Sequence, residues 1–184
     1  METKAEIRKY IAQKKEQFTL EEKIILSEKI ISRIEALPLF ISSFRILCYH
    51  SLPDEVYTHA FIEKWSQKKE ILLPVVQQDI LYIRKYEQKE KCKTGTFQIL
   101  EPSGKDIQNL QSIDLVLLPG IAFDKKGNRL GRGKGYYDKL LTQISAPKAG
   151  ICFGFQLMDN LPADEWDIPM NMIFTEKNML IIEN

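Results

Sequence analysis

The apolar positions change their spacing along this chain, and the change predicts an alternation of helix and strand. Residues 3–16 read as a polar helix with Ile7 and Ile11 on one face. Thr19-Leu-Glu-Glu22 has the spacing of a capping box, so a second helix is predicted from there to about Ala36. Leu20, Ile24, Ile31 and Ile34 form its predicted buried stripe, and Pro38 is expected to end it. "FRILCYH" (44–50) then reads as a strand, and Thr58 to Gln67 as an amphipathic helix. "EILLPVV" (70–76) and "ILYIRKY" (80–86) read as strands. Residues 87–112 are polar and turn-rich, an extended excursion. "IDLVLLPG" (113–120) is an apolar run bounded by turn residues, as in a buried parallel strand. Tyr136 to Ile144 suits a helix, "AGICFGF" (149–155) another buried strand, and "MIFT" and "MLII" late short ones. This alternation predicts an α/β fold with a mainly parallel sheet. No repeat or linker divides the chain, so one domain over 1–184 is expected.

Composition narrows the function classes. With 184 residues, 44% of them hydrophobic and 28% charged, the chain can bury one core and is neither disordered nor a disulfide scaffold. A net charge of +1 implies no general attraction to nucleic acid or membrane, so any anion site must be built locally. Cys48, Cys92 and Cys152 form no C-x-x-C pair, and His50 and His59 are the two histidines, which argues against a zinc site. The N-terminal stretch METKAEIRKYIAQKK lacks the apolar segment of a secretory signal, and no apolar run is long enough to cross a bilayer. A cytoplasmic protein is expected, working as a monomer.

The chemistry concentrates in "GNRLGRGKGYYD" (127–138). Gly131, Gly133 and Gly135 alternate with Arg132 and Lys134, just after the run predicted as a central strand. Asp124-Lys-Lys-Gly127 ahead of them suits a type I turn. Alternating glycines let backbone N–H groups converge on one point, and such a concavity binds an anion. Two common phosphate motifs do not fit. The Walker A pattern would need glycine at Asn128 and Ser or Thr at Gly135. A G-x-G-x-x-G pattern from Gly131 or Gly133 would need glycine at Tyr136 or Asp138.

"LPGIAFDKKGNRLGRGKGYYDKLL" (118–141) resembles the signature P-G-x-x-F-D-x-x-G-x-R-L-G-x-G-x-G-Y-Y-D of the 5-formyltetrahydrofolate cyclo-ligases, also called 5,10-methenyltetrahydrofolate synthetases. The likeness extends more weakly over nearly the whole chain. It implies an enzyme that consumes ATP, with Mg²⁺, to close 5-formyltetrahydrofolate into 5,10-methenyltetrahydrofolate, on a single-domain α/β fold, a Rossmann-like layered sheet with helices on both faces, related to the sugar-isomerase and CoA-transferase superfamily. By the resemblance, Arg129, Leu130, Gly131, Arg132, Gly133, Lys134, Gly135, Tyr136 and Tyr137 hold ATP, and Arg132 to Tyr136 also approach the folate. Asp138 corresponds to a Mg²⁺ ligand. Lys4 and Arg8 match a helical K-x-x-x-R that reaches ATP, and their i,i+4 spacing puts them on one helix face.

"SLPDEV" (51–56) matches the stretch carrying the family's substrate-binding glutamate, here Glu55, and His50 stands at an upstream substrate contact that is apolar in other members. Phe97, in "FQILEP", corresponds to an aromatic that stacks on the folate. A second metal-associated aspartate aligns with Asn171, and Asp167 is a nearby substitute. Lys134, Arg132 and Glu55 are the implied catalytic groups. An alternative from another class is a non-catalytic nucleotide or sugar-phosphate binding protein on the same fold. It needs the glycine cradle but not Asp138, Glu55 and Phe97 together.

Overall fold

The computed structural model describes residues 3–78, 80–95 and 100–182; Phe97 lies outside them. Helices α1 (Lys4–Glu16) and α2 (Leu20–Glu35) both open on a capping box, Thr3 with Glu6 and Thr19 with Glu22. On α1 the buried face is Ile7, Ile11 and the stem of Lys15. On α2 burial begins only at Ser27, followed by Ile30 and Ile34. Leu20, expected in the buried stripe, is 64% exposed. It is the first helical residue, and the core beneath α2 starts further along. Pro38 does not simply stop the chain's helix. It opens a short one, α3 (Pro38–Ser42), where its missing N–H would have no helical partner.

Strand β1 (Arg45–Leu47) follows, then α4 (His59–Trp65), which begins after Thr58. The hairpin of β2 (Glu70–Gln77) and β3 (Ile80–Lys85) comes next. The excursion over 87–112 contains a second small hairpin, β4 (Cys92–Thr94) with β5 (Leu100–Pro102). Strand β6 (Leu115–Pro119) is the apolar run read from sequence. Beyond it lie β7 (Ala122–Asp124), β8 (Arg129–Leu130), α5 (Tyr136–Leu141), β9 (Lys148–Ile151), β10 (Leu157–Met158), β11 (Met172–Phe174) and β12 (Met179–Ile181).

The main sheet runs β12-β11-β9-β6-β1-β2-β3. The pairs β1·β2, β1·β6, β6·β9 and β9·β11 are parallel, and an antiparallel strand closes each edge. Alternate residues face opposite layers. Ile46, Ile71, Leu115 and Leu117 pack under α2, α3 and α4, whereas Leu47, Leu72, Val116 and Leu118 pack with Leu140 and Leu141 of α5. Helices therefore cover both faces, as the resemblance implied, of a mainly parallel sheet, as the alternation predicted. The strands of the expected stretches 44–50 and 149–155 are shorter than their apolar runs: the chain leaves the ladder after Leu47, where the next residues line the cleft, and after Ile151, where Cys152 and Phe153 stay in the core.

A feature the sequence did not suggest is a second sheet, β10-β7-β8, on which α1 packs through Ile7 and Ile11 against Ala122, Leu130 and Leu161. Its strands are two or three residues long, too short to show any periodicity. In the main sheet, β1 and β6 are neighbours, but the chain proceeds from β1 toward β2 and from β6 toward β9, on opposite sides. Such a reversal leaves a crevice at the carboxyl ends of the two strands.

Candidate active site

A cleft of about 510 Å³ occupies that crevice. Tyr49, His50, Leu52 and Glu55 reach it from the segment after β1, and Pro119, Gly120 and Ile121 from the end of β6. Pro74, Val76, Leu81 and Glu101 give it one wall, and the glycine loop, Arg129 to Asp138, gives another. Lys4 and Arg8 of α1 and the stretch containing Asp164, Trp166 and Asp167 complete the rim.

The glycine loop is anchored from beneath by Asp124, which is fully buried. Its carboxylate accepts the N–H groups of Lys126, Asn128 and Leu161 and the Asn128 side-chain amide, each at 2.8–2.9 Å. The turn that follows closes with Gly127 N–H on the Asp124 carbonyl at 3.0 Å. Gly127 has φ +88°, and a Cβ there would stand 2.7 Å from the Met170 carbonyl oxygen, so this turn demands glycine twice over. Further on, Gly133 and Gly135 take φ +96° and +66°, the left-handed region, and Gly135 caps α5. Gly131 is required for space: a Cβ there would lie 2.9 Å from an Arg129 guanidinium nitrogen. Its carbonyl accepts Arg8 Nε–H at 3.0 Å, which fastens the loop to α1.

The charges are arranged in pairs across the cleft. Arg129 donates to Asp138 Oδ1 at 2.7 Å, and its guanidinium lies 5.3 Å from the Tyr137 ring centroid. Only 6% of the Arg129 side chain is exposed, and its Nε is buried without a hydrogen-bond partner. Arg132 donates to Asp54 at 2.8 Å and Glu55 at 3.2 Å, and Lys15 meets Asp54 from below at 2.8 Å. Burial pushes the Asp54 carboxyl up, but Lys15 and Arg132 outweigh it and hold Asp54 below its ordinary range. Burial opposes the Arg132 charge, and Asp54 and Glu55 more than restore it. Glu55 also accepts the Leu52 N–H at 3.0 Å. On the rim, Lys4 meets Asp164 at 2.6 Å and Asp167 at 3.2 Å. Lys134 Nζ lies 5.6 Å from the Tyr136 ring centroid.

The structure thus brings Lys4, Arg8, His50, Glu55, the whole run Arg129 to Tyr137, and Asp138 to one cleft. It does not bring Asn171 there. Asn171 sits just before β11, beside the first residue of β9, at the amino ends of these parallel strands. Its Oδ1 accepts the Lys148 N–H at 2.8 Å, and its backbone pairs with Lys148 and Ile182. That amide links strands, whereas Asp167, the substitute considered from sequence, is on the rim. Sequence reasoning missed Tyr49, Glu101, Asp164 and Trp166. Trp166, 70% exposed between two acids in "DEWD", carried a usable signal, since a large indole left in solvent at a cleft mouth is uncommon.

The donor set suits Mg²⁺ of the kind that completes its shell with phosphates and water. Asp138 bonds Arg129 through Oδ1, and among the described residues no group of three His, Cys, Asp or Glu side chains forms a closed cage for a metal. A hard cation here would depend on one carboxylate and on a ligand's own oxygens.

Known proteins resemble this chain over most of its length. A family model for the 5-formyltetrahydrofolate cyclo-ligase family matches residues 1–176. The chain is 37% identical to a 5-formyltetrahydrofolate cyclo-ligase of Haemophilus influenzae, over 68% of this chain and 72% of that protein. The solved 5,10-methenyltetrahydrofolate synthetase of Aquifex aeolicus superposes with a TM-score of 0.89 at 36% identity, covering 98% of this chain and 93% of the other. The synthetase of Mycoplasma pneumoniae superposes with a TM-score of 0.75 at 30% identity, over 94% and 98%.

Proposed function

The chain belongs to the 5-formyltetrahydrofolate cyclo-ligase family, and on that premise we propose that it converts 5-formyltetrahydrofolate to 5,10-methenyltetrahydrofolate at the expense of ATP, with Mg²⁺, releasing ADP and phosphate. The observation that carries this reading is the cleft itself. One crevice holds a glycine cradle with cations and, facing it, a carboxylate suited to a reduced pterin.

The chemistry explains the need for a phosphate donor. A formamide carbon is a poor electrophile and its oxygen a poor leaving group. Transfer of the γ-phosphoryl group to the formyl oxygen corrects both. N10 then attacks the activated carbon and gives up its proton, the ring closes, and phosphate departs with the former formyl oxygen. What the protein must supply is alignment and charge neutralisation. In this reading the N–H groups around Gly131, Gly133 and Gly135 cradle the nucleotide phosphates, with Leu130, Tyr136 and Tyr137 shaping the loop. Lys4 and Arg8 approach ATP from α1. Lys134 and Arg132 counter charge on the transferred oxygens. Arg132 also holds Glu55, so the phosphate side and the pterin side of the cleft are joined by one guanidinium. Glu55 accepts from the pterin N–H edge. Asp138 is the residue that would hold Mg²⁺, which when bound neutralises phosphate charge. Phe97 remains the candidate to stack on the folate.

The three cysteines are free thiols, and among the described residues no helix is long and apolar enough to cross a membrane. The test is spectroscopic. Protein, 5-formyltetrahydrofolate, ATP and Mg²⁺ together should produce the near-ultraviolet band of the methenyl product, and omission of ATP or metal should abolish it. Equal product without ATP would overturn the proposal.

A further inference from the structure

Lys15 is buried where the pattern of its helix calls for an apolar residue. It follows Ile7 and Ile11 at four-residue spacing on the inward face of α1, and only 6% of its side chain is exposed. Lysine is almost never buried that far unless its charge is paired. The partner is Asp54, whose Oδ2 accepts from Lys15 Nζ at 2.8 Å. The other oxygen of the same carboxylate, Oδ1, accepts from Arg132 at 2.8 Å, and Arg132 also donates to Glu55 at 3.2 Å. Four charges of alternating sign thus run from the inward face of α1 to the cleft.

Both carboxylates hold Arg132 by the same terminal nitrogen, Nη2. A guanidinium has five N–H donors, two of them on that nitrogen. Nε–H and the N–H groups of Nη1 are left for phosphate oxygens while the side chain is held by one corner. Such a grip is needed. Arg132 stands between Gly131 and Gly133, and Gly133 has φ +96°, so the loop backbone gives the side chain little direction of its own. The charges also balance. Arg132 alone between Asp54 and Glu55 would leave net negative charge beside a triphosphate, and Lys15 brings the sum of the four to zero. Burial opposes the Asp54 charge, and Lys15 does more than Arg132 to restore it.

We propose that Lys15 is a positioning residue for phosphoryl transfer: it fixes Asp54 from within the fold, and Asp54 holds Arg132 by one corner so that the free edge of the guanidinium meets the transferred oxygens. This rests on the ATP-dependent cyclo-ligase reading. Helix α1 then fastens the glycine loop twice. Arg8 grips the Gly131 carbonyl, and Lys15, through Asp54, grips the next side chain. Lys15 and Asp54 stand behind the residues that line the cleft, so their effect is on alignment and is exerted through Arg132.

The test is kinetic and spectroscopic, on the full chain. Lys15→Met keeps much of the volume and removes the charge. It should lower kcat about ten- to a hundredfold, the cost of a misplaced catalytic group, and change the KM for ATP less than about threefold. Lys15→Arg should recover most of the rate. In ¹⁵N relaxation of the free proteins, the Arg132 side chain should be ordered in wild type and in Lys15→Arg, and mobile in Lys15→Met. Asp54→Asn should reproduce the loss of rate, and Lys15→Met added to Asp54→Asn should cost nothing further, because one residue acts through the other. If urea melts show that Lys15→Met does not fold, Asp54→Asn, at a partly exposed position, decides the matter by the same rate and relaxation measurements. Wild-type kcat in folded Lys15→Met or in Asp54→Asn, additive losses in the double variant, or an Arg132 side chain equally ordered in every protein would overturn the proposal and leave the cyclo-ligase reading standing. A wild type that forms no methenyl product with ATP would overturn both.

Discussion

Arg129 grips Asp138 at 2.7 Å while almost wholly buried beneath the glycine loop. The cation just upstream of the alternating glycines is therefore engaged by the carboxylate expected to meet a metal. Its guanidinium spans Asp138 on one side and the Tyr137 ring on the other, and Gly131 is a glycine because that guanidinium fills the space of a side chain. Arg129→Ala should unfold more easily by about 2–4 kcal/mol, because it empties packed volume and leaves Asp138 without its partner. The shift of the urea midpoint measures this. Arg129→Lys should recover only part of it, since an ammonium cannot span both contacts.

Lys134 offers the contrasting case. It lies on an exposed loop position. Lys134→Ala should change stability by less than about 0.5 kcal/mol yet lower kcat on the order of a hundredfold. Parallel urea melts and steady-state rates separate the two effects, and wild-type turnover in the variant would remove Lys134 from the reaction.

Glu55→Gln should retain the fold and the affinity for ATP and lose roughly ten- to a hundredfold in kcat/KM for 5-formyltetrahydrofolate, the worth of one charged hydrogen bond. Glutamine can still accept from Leu52 N–H, which keeps the local turn. Loss of nucleotide affinity instead would place Glu55 on the phosphate side.

Lys4 and Arg8 can be tested together only by substitution. Deleting the first residues would also remove Ile7, 1% exposed and part of the core. Lys4→Ala with Arg8→Ala should raise the KM for ATP about tenfold, with a smaller effect on folate. An unchanged KM would make the pair a purely structural fastening to Asp164, Asp167 and Gly131.

Acid should loosen the fold through the histidine stack. Burial, His59 and Lys89 depress His50 from 6.5 to about 4, and burial is the main cause that lowers His59. A depressed base is protonated more readily in the unfolded chain, so the unfolded state binds the extra protons and stability falls as pH drops from about 6.5 toward 4. Urea midpoints across that window should decline, and His50→Leu should flatten the decline.

The physical origin of each element decided how far it could be read beforehand. Strand β6 was evident because four successive buried residues leave an unbroken apolar run. The glycine loop was evident because backbone approach and positive φ leave few substitutes for glycine. The β10-β7-β8 sheet escaped because its strands are too short for a pattern and are held by Asp124, an acid that reads as a turn residue but is a buried hub. Asn171 was placed with Asp138 by likeness alone, and the backbone N–H of Lys148 takes its oxygen instead. Asp164 escaped for another reason: what matters about it is its ion pair with Lys4, and no local pattern encodes a contact across 160 residues.

That contact has a consequence for the order in which the molecule is made. Lys4 is synthesised well before its partners Asp164 and Asp167, which follow it by 160 and 163 residues. Gly131, which receives Arg8, comes 123 residues later. At about 5–20 residues per second, the first helix waits many seconds for the rim it will clasp. Strands β1, β2 and β6 precede that rim and can pair while the helix waits, so a chain cut short before Asp164 presents no finished mouth to ATP.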